Sequence, residues 1–196
     1  MTPLAFTLII CAYLIGSVSS AILLCRLFRL PDPREQGSKN PGTTNVLRIA
    51  GKNLAALVLF LDVLKGFFTV WTVQLLSMPS WAISIAALAG FLGQLFPIFF
   101  KFRGGKGIAI TLGIIAAFYW QLSLLLLLTW VLVFLIFRIS SLAAISATIV
   151  AIISTFWLPN RDFAVCIMII SLLILFRHKQ NIKNLFNKTE CKIKIY

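Results

Sequence analysis

The segment from Gly37 to Asn45, which reads GSKNPGTTN, combines turn-forming residues with hydroxyl and amide side chains. Such a loop can present backbone N–H groups and hydroxyls to an anion. A helix that begins near Thr43 or Thr44 would add the positive end of its dipole. The alternative interpretation is a turn followed by an ordinary helix N-cap, which uses the same residue types.

A second cluster, RGGKG, spans Arg103 to Gly107. Its glycines would let backbone approach a ligand closely, and its two cations would neutralise phosphate. It is not a Walker A loop, because the residue after Lys106 is a glycine and the spacing of the preceding glycine differs. A plain loop between two helices remains the alternative.

The third cluster contains Arg177, His178 and Asn181. His178 is the only histidine of the chain and the only side chain here that titrates near neutral pH. It could act as a general base or could orient a phosphate. The fifth residue after His178 is Lys183, so the His-x-x-x-x-Asp pattern of soluble-headed acyltransferases is absent.

Two further charged pairs are spaced for contact on a helix. Asp62 and Lys65 lie within an apolar run at i, i+3, where they could form an internal ion pair or place Lys65 near bound phosphates. Arg48 and Lys52 are spaced i, i+4, which predicts a shared helix face.

The elements that position these clusters must lie in a membrane. The 196 residues are 60% hydrophobic and 12% charged, with a mean hydropathy of +1.00. A soluble domain of this size would need more polar surface. The net charge of +13 comes from basic residues between or after apolar runs, which indicates membrane topology and anionic ligands and argues against nucleic acid. The four cysteines are scattered and predict neither a disulfide framework nor a zinc site.

A membrane crossing needs about 20 helical residues, because backbone groups inside lipid must bond to one another. We predict an all-α, polytopic membrane bundle of seven transmembrane helices in one domain, 1–196, with six helices as the alternative. A break between the fourth and fifth helices is expected around Tyr119, Trp120 and Gln121. The apolar runs lie near 4–24, 54–76, 81–100, 108–119, 121–137, 140–158 and 163–176.

Charge distribution predicts the orientation of the bundle. Basic residues concentrate in segments 25–53, 101–107, 138–139 and 177–196, apart from Lys65 within a span and Arg161 on the opposite side. The positive-inside rule then places the N-terminus outside and the C-terminus in the cytoplasm. Arg26 and Arg29 follow the first run directly, so we expect a retained helix rather than a signal peptide.

In combination and order, the clusters resemble the motifs of the bacterial acyl-phosphate:glycerol-3-phosphate acyltransferases, the PlsY family. GSVSSA (16–21), DPREQGSKNPGTTNVLR (32–48) and AGKN with a following DVLKG (50–66) are similar to its first motif. GQLFPIFFKFRGGKGIA (93–109) resembles its second motif, and RHKQNI (177–182) its third. Gln94 stands where the family usually has histidine, so no acid–base role is expected there.

The resemblance implies transfer of an acyl group from acyl phosphate to sn-glycerol 3-phosphate, giving 1-acyl-sn-glycerol 3-phosphate and phosphate. This is the first acylation of phospholipid biosynthesis, with the site on the cytoplasmic face of the bacterial inner membrane. No cofactor, metal, nucleic acid or obligate protein partner is expected, and membrane lipid is the surrounding partner. The predicted catalytic residues are Ser38, Arg48, Lys106, His178 and Asn181. The predicted substrate-binding residues are Lys39, Asn40, Thr43, Asn45, Lys65, Arg103, Gly104, Gly105, Gly107 and Arg177.

An acyl phosphate is already activated, so the protein mainly has to position two anions and offset their repulsion. No serine or cysteine lies beside an evident base, which predicts direct transfer without a covalent enzyme intermediate. The competing hypothesis is a membrane transporter of organic phosphate, although the sequence lacks the internal repeats common in transporters. A structural subunit would leave the polar loops without a purpose.

Overall fold

The computed structural model describes residues 2–193, and within this range the regular secondary structure is entirely helical. The α-helices are α1 (Pro3–Gly16), α2 (Ser20–Leu27), α3 (Thr43–Ala50), α4 (Lys52–Leu75), α5 (Ser80–Leu95), α6 (Ile108–Phe118), α7 (Trp120–Phe137), α8 (Ser140–Ser154), α9 (Arg161–Arg177) and α10 (Lys179–Phe186). Short 3₁₀ helices follow α5 at Ile98–Phe100 and α8 at Thr155–Trp157. The all-α prediction is confirmed.

Four helical segments are long and apolar enough to cross a membrane: Lys52–Leu75, Ser80–Phe100, Trp120–Phe137 and Ser140–Trp157. The helices α1 and α2 meet at 46° and would form a fifth span if they count as one bent unit. All seven predicted apolar runs are helical, but α6 has 11 residues and α9 has 17. The structure therefore shows a helical membrane protein, and the count of seven crossings stays a prediction.

The expected break between the fourth and fifth runs is confirmed at Tyr119. This residue is extended, with φ −148° and ψ 94°, and it separates α6 from α7. The surface of α7 is strongly apolar and exposed, with Leu132 61% and Ile136 63% accessible. Lipid is the solvent that such a surface requires.

Glycines allow the helix backbones to pack in close contact, as is common in membrane bundles. A Cβ atom added to Gly113 of α6 would lie 1.9 Å from the Val63 carbonyl oxygen of α4. A Cβ atom added to Gly16 of α1 would lie 2.0 Å from the Gly90 carbonyl oxygen of α5. No side chain larger than hydrogen fits at these crossings, so α1, α4, α5 and α6 form a tight group.

The main hydrophobic core fixes the ends of the helices that carry the second and third polar clusters. Phe91 of α5, Ile110 and Ile114 of α6, and Ile167 and Ile170 of α9 are all fully buried in one cluster. The loop from residue 96 to 107 leaves α5 and enters α6 at this core, and His178 follows the end of α9. The core therefore holds these two polar segments beside each other.

The predicted common helix face for Arg48 and Lys52 is wrong. Gly51 separates α3 from α4 with φ +83° and ψ −177°, so Arg48 belongs to one helix and Lys52 begins the next. A positive φ is readily adopted only by glycine, and the break occurs at the one residue of this segment that tolerates it. The i, i+4 spacing therefore spans a helix boundary.

Candidate active site

The loop from Arg103 to Gly107 is held from two sides. The Gly105 amide donates to the carbonyl oxygen of Gln94 at 3.1 Å. The Arg177 guanidinium donates to the carbonyl oxygens of Gly104 and Gly105, each at 3.2 Å. Gly107, with φ +84°, then turns the chain into α6. The second and third sequence clusters are thus joined by direct hydrogen bonds.

The first cluster also reaches this loop. A Cβ atom added to Gly105 would lie 3.1 Å from the carbonyl oxygen of Pro41, so the two loops are in contact. The arginine at position 48, on α3, is exposed, and its charge acts on Lys106. All three polar clusters therefore meet at one end of the bundle.

Lys106 is the central cation of this end. Its ammonium donates to the Asn181 side-chain oxygen. Burial lowers the pKa of Lys106 to about 8, Glu190 opposes this shift, and the positive charges of Arg177 and Arg48 add to it. Because three cations repel one another here, an anion that binds among them would relieve the repulsion.

His178 is 2% exposed and caps the C-terminus of α9. Its Nδ1 lies 2.9 Å from the carbonyl oxygen of Ile174. A carbonyl oxygen only accepts, so Nδ1 carries the proton and Nε2 keeps its lone pair. Burial, with the nearby positive charge of Lys106, lowers the pKa of His178 to about 4. The ring is neutral at pH 7 before a substrate binds.

Sequence reasoning missed two residues beside Asn181. Glu190 accepts hydrogen bonds on one oxygen from Ser141 and from Asn181, both at 2.7 Å. Ser141 lies in the first turn of α8, and Glu190 lies in the segment after α10. Neither position follows a recognisable spacing pattern, although acidic residues are rare in this basic chain, with 5 Asp and Glu against 18 Lys and Arg.

Asn45 organises the first loop from inside. It is 1% exposed, its oxygen accepts from the Ser38 amide at 2.8 Å, and its nitrogen donates to the carbonyl oxygens of Pro33 and Gln36. Ser38 and Lys39 lie exposed on this loop. The described contacts give Asn45 the role of a support for the loop, and its contact with substrate stays a prediction.

Helix α3 begins at Thr43, as the sequence predicts, behind Gly42, which makes no side-chain cap. The Thr43 hydroxyl is buried without a hydrogen-bond partner, and Asn40 lies half-buried just before it. Thr44 bonds to Ser140 at the start of α8 at 2.9 Å. An uncapped helix N-terminus with a free hydroxyl is suited to an anion.

Lys65 belongs to an internal network of hydrogen bonds, and its contact with substrate stays a prediction. Its ammonium bonds to Asp62 at 2.8 Å, to the Val18 carbonyl oxygen at 2.8 Å and to Gln94. Asp62 also accepts from Ser20 and from Gln94. An ammonium has three donors, and these contacts use all of them. The internal ion pair is confirmed.

Arg103 lies beside the main cluster. It is exposed and lines a basic cavity of about 280 Å³ together with Arg26, Arg34 and Lys101. Arg34 is paired with Asp32 at 2.6 Å, and that ion pair lowers the pKa of the aspartate. Within residues 2–193, no group of three or more His, Cys, Asp or Glu side chains could hold a metal ion.

The fold and the site together define a membrane-embedded helical protein with a cationic, glycine-lined site at one end of the bundle. The glycerol-3-phosphate acyltransferase family model matches residues 6–188. The chain belongs to this family, and the family resemblance seen in the sequence motifs is confirmed.

Named relatives and solved structures agree with this membership. The chain is 48% identical over 193 residues to a glycerol-3-phosphate acyltransferase of Vibrio cholerae serotype O1, covering 98% of this chain and 92% of the relative. It is 49% identical to one of Shewanella loihica, covering 98% and 95%. The crystal structure of PlsY, an integral membrane glycerol 3-phosphate acyltransferase, in its glycerol 3-phosphate form, superposes with a TM-score of 0.92. That match has 38% identity and covers 97% of this chain and 96% of PlsY.

Proposed function

We propose that the protein transfers an acyl group from an acyl phosphate to sn-glycerol 3-phosphate, which yields 1-acyl-sn-glycerol 3-phosphate and inorganic phosphate. The observation that carries this proposal is the convergence of Arg48, Lys106 and Arg177 on a glycine-rich loop at the end of apolar helices. Both substrates carry a phosphate, and one also carries an acyl chain. A cationic site beside lipid-facing helices suits this pair, and family membership supports the glycerol 3-phosphate acceptor.

The reaction mainly requires that the two substrates are positioned and that their negative charges are neutralised. The acceptor hydroxyl forms an ester bond to the acyl carbon, and the bond between that carbon and the phosphate oxygen breaks. Lys106 and Arg48 offset the repulsion between the two phosphates. The Thr43 hydroxyl and the N-terminus of α3 supply further donors, and Ser38 lies on the adjacent loop. The backbone of Gly104, Gly105 and Gly107 lets a ligand approach closely.

Direct transfer is part of this proposal. His178 is buried, with Nδ1 bonded to Ile174, and no hydrogen bond of the described residues joins it to a serine or a cysteine. The remaining nitrogen, Nε2, can bind the acceptor or a phosphate. Because the pKa of His178 is about 4, a substrate phosphate oxygen is the better acceptor for the hydroxyl proton. Recovery of acyl label on Ser38 after denaturation would contradict direct transfer.

The decisive assay measures phosphate release and lipid product from purified protein in detergent or lipid. Palmitoyl phosphate is supplied with and without glycerol 3-phosphate, and palmitoyl-CoA replaces it as the control donor. We expect release that depends on glycerol 3-phosphate, with one lysophosphatidate formed for each phosphate. Acyl transfer from palmitoyl-CoA but not from palmitoyl phosphate would overturn the donor assignment. If folded protein transferred no acyl group from either donor, the transport hypothesis would be favoured. None of the described contacts specifically supports transport.

We further propose a seven-span arrangement in the inner membrane, with the C-terminus and the site in the cytoplasm. Cys191 is exposed near the C-terminal end, Cys25 and Cys166 are buried, and Cys11 is exposed on the apolar helix α1, where lipid would cover it from a polar reagent. We expect a membrane-impermeant maleimide to label Cys191 in inverted membrane vesicles but not in intact spheroplasts. The control is a Cys191→Ser variant, which should lose the label. Labelling in intact spheroplasts would place the tail outside and reverse the topology.

The pH dependence of the reaction should follow Lys106. Its pKa is lowered to about 8, so the ammonium loses its charge as the pH rises through that value. We expect kcat/KM for glycerol 3-phosphate to fall about tenfold per pH unit above about pH 8, since the substrate phosphate, with a second pKa of about 6, no longer titrates there.

A Lys106→Arg variant controls for this assignment. A guanidinium stays charged throughout the range, so the alkaline fall should disappear even if the overall rate is lower. An unchanged alkaline fall in the arginine variant would assign it to another group.

A further inference from the structure

Residues 188–193, which follow α10, are docked against the bundle. Lys188 takes a left-handed conformation, φ +56°, which turns the chain back after the helix. The Ile193 amide donates to the Arg138 carbonyl oxygen at 2.8 Å, and the Ile193 side chain is 8% exposed. Residues 188–193 therefore lie against the start of α8, where Ser141 is located.

This docking places a carboxylate next to the predicted anion site. Burial by itself would raise the pKa of Glu190, but hydrogen bonds from Ser141, Asn181 and Asn184 and the charge of Lys106 lower it overall. The group is therefore ionised at neutral pH. It is the acidic residue among the described groups that act on Lys106.

Asn181 lies between the two opposite charges, and this fixes the orientation of its amide. The side-chain oxygen accepts from Lys106, and the side-chain nitrogen donates to Glu190 at 2.7 Å. The flipped amide would point two donors at an ammonium and an acceptor at a carboxylate, so it is strongly disfavoured. The carboxylate thereby determines which face of Asn181 meets Lys106.

We propose that Glu190 is a positioning residue for the phosphate site, which holds Asn181 and, through it, the ammonium of Lys106. It acts through Asn181 and need not touch substrate. The proposal rests on the proposed function, which makes Lys106 a phosphate-binding group.

The charges around Lys106 come from several elements. Among the described residues, the positive charges of Arg48 on α3 and Arg177 at the end of α9 act on the ammonium, and the neutral His178 lies near it. Glu190 is the described carboxylate that offsets the two arginines. Removing the carboxylate charge should therefore make Lys106 lose its proton at lower pH. Removing the whole side chain should also release Asn181.

Two variants separate these effects in the full-length protein. Glu190→Gln keeps a side-chain oxygen for Ser141 and Asn181 but loses the charge, whereas Glu190→Ala loses both. We expect Glu190→Ala to raise KM for glycerol 3-phosphate about tenfold with a smaller change in kcat, because a hydrogen bond to a charged group is lost. In Glu190→Gln, the KM should lie close to that of the unmodified protein, but the alkaline fall of kcat/KM should move to lower pH.

The matched control is Asp162→Asn, which likewise removes the charge of a carboxylate that accepts from a serine, here Ser80, at the opposite end of α9 from His178. It should match the unmodified protein in KM and in pH profile. A single symmetric elution peak and an unchanged thermal midpoint verify folding. If Glu190→Ala fails to fold, the proposal is tested by the pH profile of Glu190→Gln.

Two results would overturn the proposal. If neither variant changed the KM or the pH profile, Glu190 would not act on the site. A lower KM would show that the carboxylate competes with substrate phosphate instead of orienting its ligands. If the unmodified protein transfers no acyl group, the proposed function fails, and calorimetric binding of glycerol 3-phosphate to the same variants still tests Glu190.

Discussion

Replacing Lys106 with methionine will lower kcat/KM for glycerol 3-phosphate by about 100- to 1,000-fold, the usual cost of removing one preorganised donor from a developing or bound anion. Methionine keeps the length and the apolar stem of lysine, so the change removes the charge with little change in packing. The effect should be large because the ammonium is half-buried among Arg48 and Arg177, where charge is weakly screened. Steady-state kinetics with palmitoyl phosphate measure it.

Lys183→Met is the matched control for this prediction. Lys183 lies on α10, close in sequence to Asn181, but it is exposed and belongs to no described site contact. We expect its activity to stay within about twofold of the unmodified protein, as is usual for exposed surface changes. A loss below tenfold in the Lys106 variant, or equal losses in both variants, would remove Lys106 from the site.

The helices could be predicted from sequence because lipid imposes one rule on every segment. Each apolar run had to be helical, since backbone groups in hydrocarbon must pair internally. The break at Tyr119 was predictable because aromatic and polar side chains there interrupt an apolar run and favour the membrane interface. The number of crossings is less determined, because α6 and α9 are short and a bilayer can adapt to short helices.

The polar loops were predictable as a group, but individual roles were not. Residue types indicated that the three clusters bind anions, and the structure brings them together. Lys65 looked similar to Lys106 in sequence, but its depth in α4 pairs it with Asp62 and uses all its donors. Only three-dimensional neighbours distinguish the two lysines.

The contacts that sequence reasoning missed depend on chain reversals. Glu190 reaches Asn181 only because Lys188 turns the chain back against α8, and nothing in the local pattern predicts that turn. Arg48 and Lys52 show the opposite error, since a regular spacing suggested one helix where Gly51 ends it. Backbone reversals at single residues are the features that periodicity does not reveal.

Replacing Gly104 with alanine should disrupt the phosphate loop by displacing its backbone. An added Cβ atom at this position would lie 2.1 Å from the Gln94 carbonyl oxygen and 2.6 Å from that of Leu95. Both are backbone atoms at the end of α5, so they cannot rotate away, and the loop must move. Gln94 also accepts from the Gly105 amide, and Arg177 holds the same loop, so both contacts would be strained. A shift of about 1 Å in such a site costs about 100-fold in rate.

Gly105→Ala supplies the comparison, since it makes the same chemical change one residue later in the same loop. There the added Cβ atom meets the Pro41 carbonyl oxygen at 3.1 Å and the Gln94 side-chain nitrogen at 3.6 Å, contacts that a small adjustment relieves. We expect a loss of about 100-fold in kcat/KM for Gly104→Ala and a much smaller loss for Gly105→Ala, with both proteins folded by thermal midpoint. If Gly104→Ala kept the activity of the unmodified protein, the loop would tolerate displacement of its backbone. The cationic side chains alone, and not the backbone geometry between Arg103 and Gly107, would then determine phosphate binding.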